Sequence, residues 1–92
     1  MLLLKGRLDD ETAPELLARL RSLLAGHPLV AVDCSELAYV SSAGLAVLIE
    51  AARAAQAASH RFCVCGPTEA VHKVFEISGI AALVAIQESM PC

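Results

Sequence analysis

Apolar residues along the chain switch repeatedly between short runs and helical stripes. Residues 2–8, LLLKGRL, begin with three leucines and return to leucine at Leu8, which predicts a strand. In DDETAPELLARLRSLLAGHP the residues Leu16, Leu17, Leu20, Leu23 and Leu24 recur at helical spacing and make one apolar stripe. Thr12 with Glu15 three residues on fits a capping box. Pro14 falls in the first turn, where a missing N–H costs little, and Gly26 and Pro28 end the helix. LVAVD (29–33) is short, apolar and β-branched and predicts a buried strand, with CSELAY after it as a polar connection. From Ser42 the helical spacing returns: Leu45, Leu48, Ile49 and Ala52 share a face, and Glu50, Arg53 and Gln56 lie off it. RFCVC (61–65) predicts a third strand closed by Gly66-Pro67. TEAVHKVFEISG predicts a third helix, with Val71, Val74 and Phe75 inward and Gly79 past its end, and ALVAIQ (82–87) a fourth strand before the tail SMPC.

The order β-α-β-α-β-α-β argues for an α/β fold: a small mixed or parallel sheet with about three main helices packed on it. Right-handed crossovers bring the ends of successive strands to one edge, where partners and ligands gather at strand-to-helix loops. Two loops there are polar, Asp9-Asp10-Glu11 and the stretch from Asp33 to Ser42.

Composition narrows the chemistry. The 92 residues make one domain, 1–92, with no repeat or linker, and 57% of them are apolar, enough for a core without staples. Aromatics are 3% and the net charge is −3, which argues against nucleic acid: neither a stacking platform nor a basic footprint is present. No apolar stretch approaches the length of a membrane span, and the N-terminus has no signal-peptide pattern. Cys34, Cys63, Cys65 and Cys92 read as reduced thiols of a cytoplasmic protein.

Ser41 and Ser42 stand before Ala43-Gly44, at the start of the second helix. Ser42 occupies the expected N-cap, where a serine hydroxyl accepts a backbone N–H and contributes about 1 kcal/mol. The alternative is that its hydroxyl is a target, reachable because the next two residues are small. A phosphate there would add about −1.5 to −2 charges. It would leave the fold intact, since an anion at a helix N-terminus gains about 0.3–1 kcal/mol. No Lys or Arg stands close in sequence to clamp it, and Asp9, Asp10, Asp33 and Glu36 are expected on the same edge. Repulsion of about 1.4–2.8 kcal/mol at an interface would weaken an acidic partner some 10–100-fold.

These stretches resemble the STAS domain of the anti-sigma factor antagonists, the anti-anti-sigma proteins of bacteria. LKGRLDDETAPEL is similar to the family's G-x-L-D opening, LVAVDCSELAYVSSAGLAVL to its strand followed by a (D/S)-S-(S/A)-G-L signature, and KVFEISGIAALVAI to its closing helix, glycine and strand. The resemblance implies a phosphoprotein in partner switching. Its Ser42 would be phosphorylated by an anti-sigma factor serine kinase, and Asp9 would contact that kinase. Ser41 stands where many members carry Asp and is kept as the alternative phosphosite. The partner surface is expected to hold Asp9, Asp33, Ser41, Gly44 and Leu45. The resemblance implies one more strand before LLLKGRL; its loss would leave a sheet edge open and make a homo-oligomer possible, and a misplaced start codon is the alternative explanation.

Other chemistry fits less well. Cys63 and Cys65 share a strand face near His60 and His72, but lack the pair spacing of structural zinc, so no metal is expected. Cys34 has no base beside it. VSSAGL is not a G-x-S-x-G elbow, and His27 and His60 follow helices and belong at the opposite edge. No phosphate-binding glycine loop is present, so no cofactor is expected, and any ATP belongs to the partner. The expected function is therefore a non-enzymatic switch that binds an anti-sigma factor kinase when unphosphorylated and is reset by a phosphatase. The alternative is a non-phosphorylated STAS subunit docked on the ATPase of a lipid-transporting ABC complex. A small-molecule sensor would need a pocket that the sequence does not announce.

Overall fold

The computed structural model describes residues 2–87. Strands and helices alternate: β1 (Leu2–Leu8), α1 (Ala13–Gly26), β2 (Leu29–Val40), α2 (Ser42–Ala57), β3 (Arg61–Cys65), α3 (Glu69–Ser78) and β4 (Ala85–Gln87), with a 3-10 turn at Ile80–Ala82. The sheet has four strands in the order β1-β2-β3-β4, and every pairing is parallel. The fold is thus α/β with three helices, as the alternation of periods requires.

The core follows from the register. Leu2 pairs with Val32, Val30 with Phe62, and Val32 with Val64, so apolar side chains line up across one face. Leu16, Leu20 and Leu24 of α1 and Val47, Leu48, Ala51 and Ala55 of α2 are buried with them. Leu20 and Leu48 are fully buried, each contributing about 1.5–3 kcal/mol by leaving water. Arg21 Nη2 reaches Glu50 Oε2 at 2.9 Å across the exposed side of α1 and α2. Gly79 closes α3 at φ +75°, a left-handed conformation that favours glycine.

Four expectations are corrected. CSELAY is not a connection: β2 runs unbroken to Val40. Its ladder with β1 is irregular, because Leu3 pairs with Asp33 while Lys5 pairs with Glu36, and Gly6 with Leu37 while Arg7 pairs with Tyr39. β2 therefore spends extra residues as bulges. Its buried positions become Cys34, Leu37 and Val40, three apart, which no alternation test detects. The last strand is three residues long: Ala82 belongs to the 3-10 turn, and Leu83 and Val84 form the bend that follows it. The N-terminal box of α1 lies one turn earlier than Thr12–Glu15, on Asp9 and Thr12. Finally, Cys34 and Cys63 are free thiols but Cys65 is disulfide-bonded, so the reading of all cysteines as reduced fails at that residue. The SMPC tail, with Cys92, lies outside the described residues.

Candidate functional site

The strand-end edge is built around Leu8. Leu8 ends β1 opposite Val40, and its carbonyl accepts the N–H of Ser41 at 2.9 Å. The start of α2 is therefore tied to the end of β1. Its side chain lies against Gly44, where an added Cβ would come within 2.7 Å of Leu8 Cγ and 3.0 Å of Leu8 O. Gly44 is buried. It is glycine because helix and strand end approach too closely for any side chain, not because the helix start must be left uncovered.

The two serines divide the work at this junction. Ser41, not Ser42, is the N-cap: its Oγ accepts the N–H of Gly44 at 3.2 Å, and its carbonyl accepts the N–H of Leu45 at 2.9 Å. Ser41 is half-buried and held through its N–H, its carbonyl and its hydroxyl. Ser42 is the first residue of α2 and is exposed, and among the described residues its hydroxyl makes no hydrogen bond. Leu45 is half-buried and packs on the core cluster.

Asp9 follows Leu8 directly. Its Oδ1 accepts the N–H of Glu11 at 3.1 Å and of Thr12 at 3.3 Å, while its own N–H donates to Thr12 Oγ1 at 2.9 Å. This reciprocal pair is a capping box made by Asp and Thr. Desolvation opposes ionisation of the Asp9 carboxyl. It is outweighed by the Glu11 and Thr12 N–H groups, the Thr12 hydroxyl and the Arg7 charge, which hold its pKa below the ordinary carboxylate value. Arg7 Nε lies 3.7 Å from Asp9 Oδ2, and the Arg7 guanidinium sits 4.4 Å over the ring of Tyr39. The acidic loop thus carries a cation, which the absence of Lys or Arg beside Ser42 did not suggest. Arg7, Tyr39 and Leu8 are the residues that sequence reading missed. The signal was the unrecognised second half of β2, which brings Tyr39 and Val40 beside Arg7 and Leu8.

Asp33 does not join this edge. It sits within β2 beside Leu3 and Cys65, seven positions before Val40, with its Oδ1 accepting the N–H of Ser35 at 2.9 Å. At about 3.3 Å per residue that is roughly 20 Å up the strand. Glu36 is also a strand residue, paired with Lys5. The acidic edge therefore reduces to Asp9, Asp10 and Glu11.

The remaining reactive side chains lie elsewhere. Cys34 is fully buried, and burial, with the charge of neighbouring Asp33, pushes its thiol up to about 12. His27 Nδ1 lies 3.0 Å from Leu23 O and His60 Nδ1 2.8 Å from Leu24 O, so both histidines meet the C-terminus of α1, at the edge opposite Ser42. Among the described residues, no helix is long and apolar enough to cross a membrane.

Comparison with known proteins agrees with this architecture. The family model described as "Mlab, STAS domain" matches residues 1–85. BtrV of Bordetella bronchiseptica, named an anti-sigma factor antagonist, is 31% identical over 87 residues, which cover 94% of this chain and 75% of BtrV. The structure of TM1081 from Thermotoga maritima superposes with a TM-score of 0.85 at 18% identity, over 96% of this chain and 79% of that one. The anti-sigma factor antagonist SpoIIAA in its unphosphorylated form superposes at 0.79 with 21% identity, over 91% and 75% of the two chains. Its phosphorylated form, the Bacillus cell fate determinant, gives 0.71 at 20% identity, over 91% and 78%. A four-stranded parallel sheet and matches running through most of the chain agree on one conclusion: the protein belongs to the STAS domain family of anti-sigma factor antagonists.

Proposed function

We propose that the chain is a phosphorylation-controlled interaction switch with Ser42 as its modified residue. In the unphosphorylated state it binds an anti-sigma factor that is also a serine kinase. The kinase transfers the γ-phosphoryl group of its ATP to Ser42 Oγ, releasing ADP, and the interaction ends. A separate phosphatase restores the hydroxyl. We assign the chain itself no catalysis, and the surface is Asp9, Ser41, Ser42, Gly44 and Leu45.

The observation that carries this reading is the division of labour between the serines. Ser41 Oγ is occupied as the cap, whereas Ser42 is exposed and unengaged at the first position of the same helix. That arrangement favours Ser42 over Ser41 as acceptor. A phosphate at this position meets the positive end of α2, worth about 0.3–1 kcal/mol in its favour. The added charge therefore acts on the partner and leaves the scaffold folded. Asp9, one residue past the strand end to which Ser41 is bonded, adds a fixed negative charge to the same surface. The solved SpoIIAA structures, one of each phosphorylation state, support a two-state switch on this fold.

The test is binding of a purified anti-sigma factor kinase from the same genome to wild type, Ser42→Ala and Ser42→Asp. Wild type and Ser42→Ala bind, and Ser42→Asp binds at least 10-fold more weakly. Equal binding by all three excludes a charge switch. Mass spectrometry after incubation with kinase and ATP should place one phosphate on Ser42, and a phosphate on Ser41 would reassign the site. The second reading is the other role that the resemblance implies, a docking subunit of a lipid-transporting ABC ATPase. Neighbouring ATPase and permease genes, with no kinase gene, would favour it.

A further inference from the structure

Two hollows between β1, α1 and β2 share Arg19 and make a groove that runs back from the serine edge. One compartment, about 130 Å³, has a floor of Leu4, Leu8, Leu16 and Leu37. A second, about 160 Å³, is lined by Leu2, Leu23 and Leu29. Arg19 borders both compartments. Lys5 and Arg7 border the first, against a single carboxylate, Glu15. Three of the seven Lys and Arg residues therefore gather here, in a chain whose net charge is −3. All three are exposed, and among the described residues neither Lys5 nor Arg19 forms an ion pair. Arg7, through Asp9 and Tyr39, joins this rim to the serine edge.

We propose that the groove docks an extended acidic segment of the partner kinase, with one apolar side chain in each compartment and carboxylates against Lys5, Arg7 and Arg19. The proposal rests on the kinase-switch reading above and adds a second contact to it. Charge complementarity selects the occupant: a local cluster of cations in an acidic protein favours an anion, and Arg holds a carboxylate through paired N–H groups. The leucine floors add the requirement for apolar anchors on either side of that anion. A ladder of backbone bonds to β1 is not required. Gly6 adopts φ +71° and breaks the regular strand there, so side chains carry the contact.

The experiment measures the Kd of the same purified kinase by calorimetry, with the full-length chain. The variants are Arg19→Glu, Lys5→Glu, Arg19→Lys and, as a control outside both compartments, Lys73→Glu on the exposed side of α3. Circular dichroism checks that each is folded. Arg19→Glu and Lys5→Glu should each weaken binding at least 5-fold and flatten its salt dependence. Arg19→Lys should fall between Arg19→Glu and wild type, because it keeps the charge and loses the paired N–H groups. Lys73→Glu should stay within 2-fold of wild type. If wild type binds and Ser42→Asp releases, but Arg19→Glu binds like wild type, the groove proposal falls and the switch stands. An equal loss in Lys73→Glu reduces the effect to net charge and also overturns it. If wild type does not bind the kinase, both readings fail together. Sedimentation of the chain alone supplies the last outcome: a dimer abolished by Arg19→Glu assigns the groove to a second copy and overturns the partner proposal.

Discussion

Helices α2 and α3 start on the same architecture and differ in the charge at their first residue. Each follows a parallel strand, and each has a half-buried hydroxyl as its N-cap: Ser41 accepts the N–H of Gly44, and Thr68 accepts the N–H of Val71 at 3.3 Å. Each cap is also tied to a neighbouring strand, Ser41 through its N–H to Leu8 O and Thr68 through its hydroxyl to Leu37 O at 3.1 Å. In each, the residue after the cap is exposed and the residue bonded to the cap is buried. At the exposed position α3 carries Glu69, a carboxylate at the positive end of the helix, whereas α2 carries Ser42 and has no acidic residue in its first turn. The fold thus already tolerates a fixed negative charge at this place in α3. In α2 the same place is left neutral, and a phosphate would fill it.

The largest effect is expected where the two starts are docked. Leu8→Ala removes a side chain that is 3% exposed and leaves Gly44 facing a void. The loss should be about 2–5 kcal/mol, read as a lower denaturant midpoint with an unchanged slope. Next comes the position bonded to the cap, buried in both helices but filled oppositely. Val71 fits its site in α3, whereas any Cβ at residue 44 meets Leu8. Gly44→Ala should cost about 1–3 kcal/mol by overpacking, and Leu8→Ala in the same chain should recover part of it. A double mutant that is simply additive would show that Leu8 is not the obstacle.

How much of this was readable beforehand depends on the range of the interaction involved. The helices could be placed from Leu16, Leu20 and Leu24, or Val71 and Phe75, because their periodicity is local and the core accepts it unchanged. The cap of α2 was misplaced by one residue. Both serines can accept a backbone N–H, and the choice was decided by Leu8 O, more than thirty residues away in sequence, which takes the N–H of Ser41. The second half of β2 was missed for a related reason. Ser35 and Glu36 are polar, and the bulged ladder with β1 places the buried residues three apart, so the strand exists through its pairing rather than its pattern. Asp33 was grouped with Asp9 as a consequence. The Arg7–Tyr39 contact depends on that same pairing and could not be seen without it.

A smaller difference separates the two serines themselves. Ser41→Ala leaves the N–H of Gly44 without its cap and should cost about 1 kcal/mol. Ser42→Ala changes an exposed, unengaged side chain and should stay within about 0.5 kcal/mol of wild type. Thr68→Ala should resemble Ser41→Ala, since both remove a cap. Thermal melts of the three variants decide the matter: a larger loss at Ser42 than at Ser41 would reverse the assignment of cap and acceptor.

The smallest expected effect bears most directly on the switch. Ser42→Glu gives α2 the charge that Glu69 supplies to α3, and the dipole of the helix should repay it with about 0.3–1 kcal/mol of added stability at low salt. Glu69→Gln should lose a similar amount from α3, and both changes should fade as salt screens them. The direction matters more than the size. If a negative charge at residue 42 leaves stability equal or higher while kinase binding falls at least 10-fold, the signal is delivered at the surface by a domain that stays folded. If Ser42→Glu instead loses more than about 1 kcal/mol in the same melts, the charge clashes with the Asp9 loop or the Ser41 cap, and release of the partner would follow from a damaged helix start rather than from repulsion across an interface.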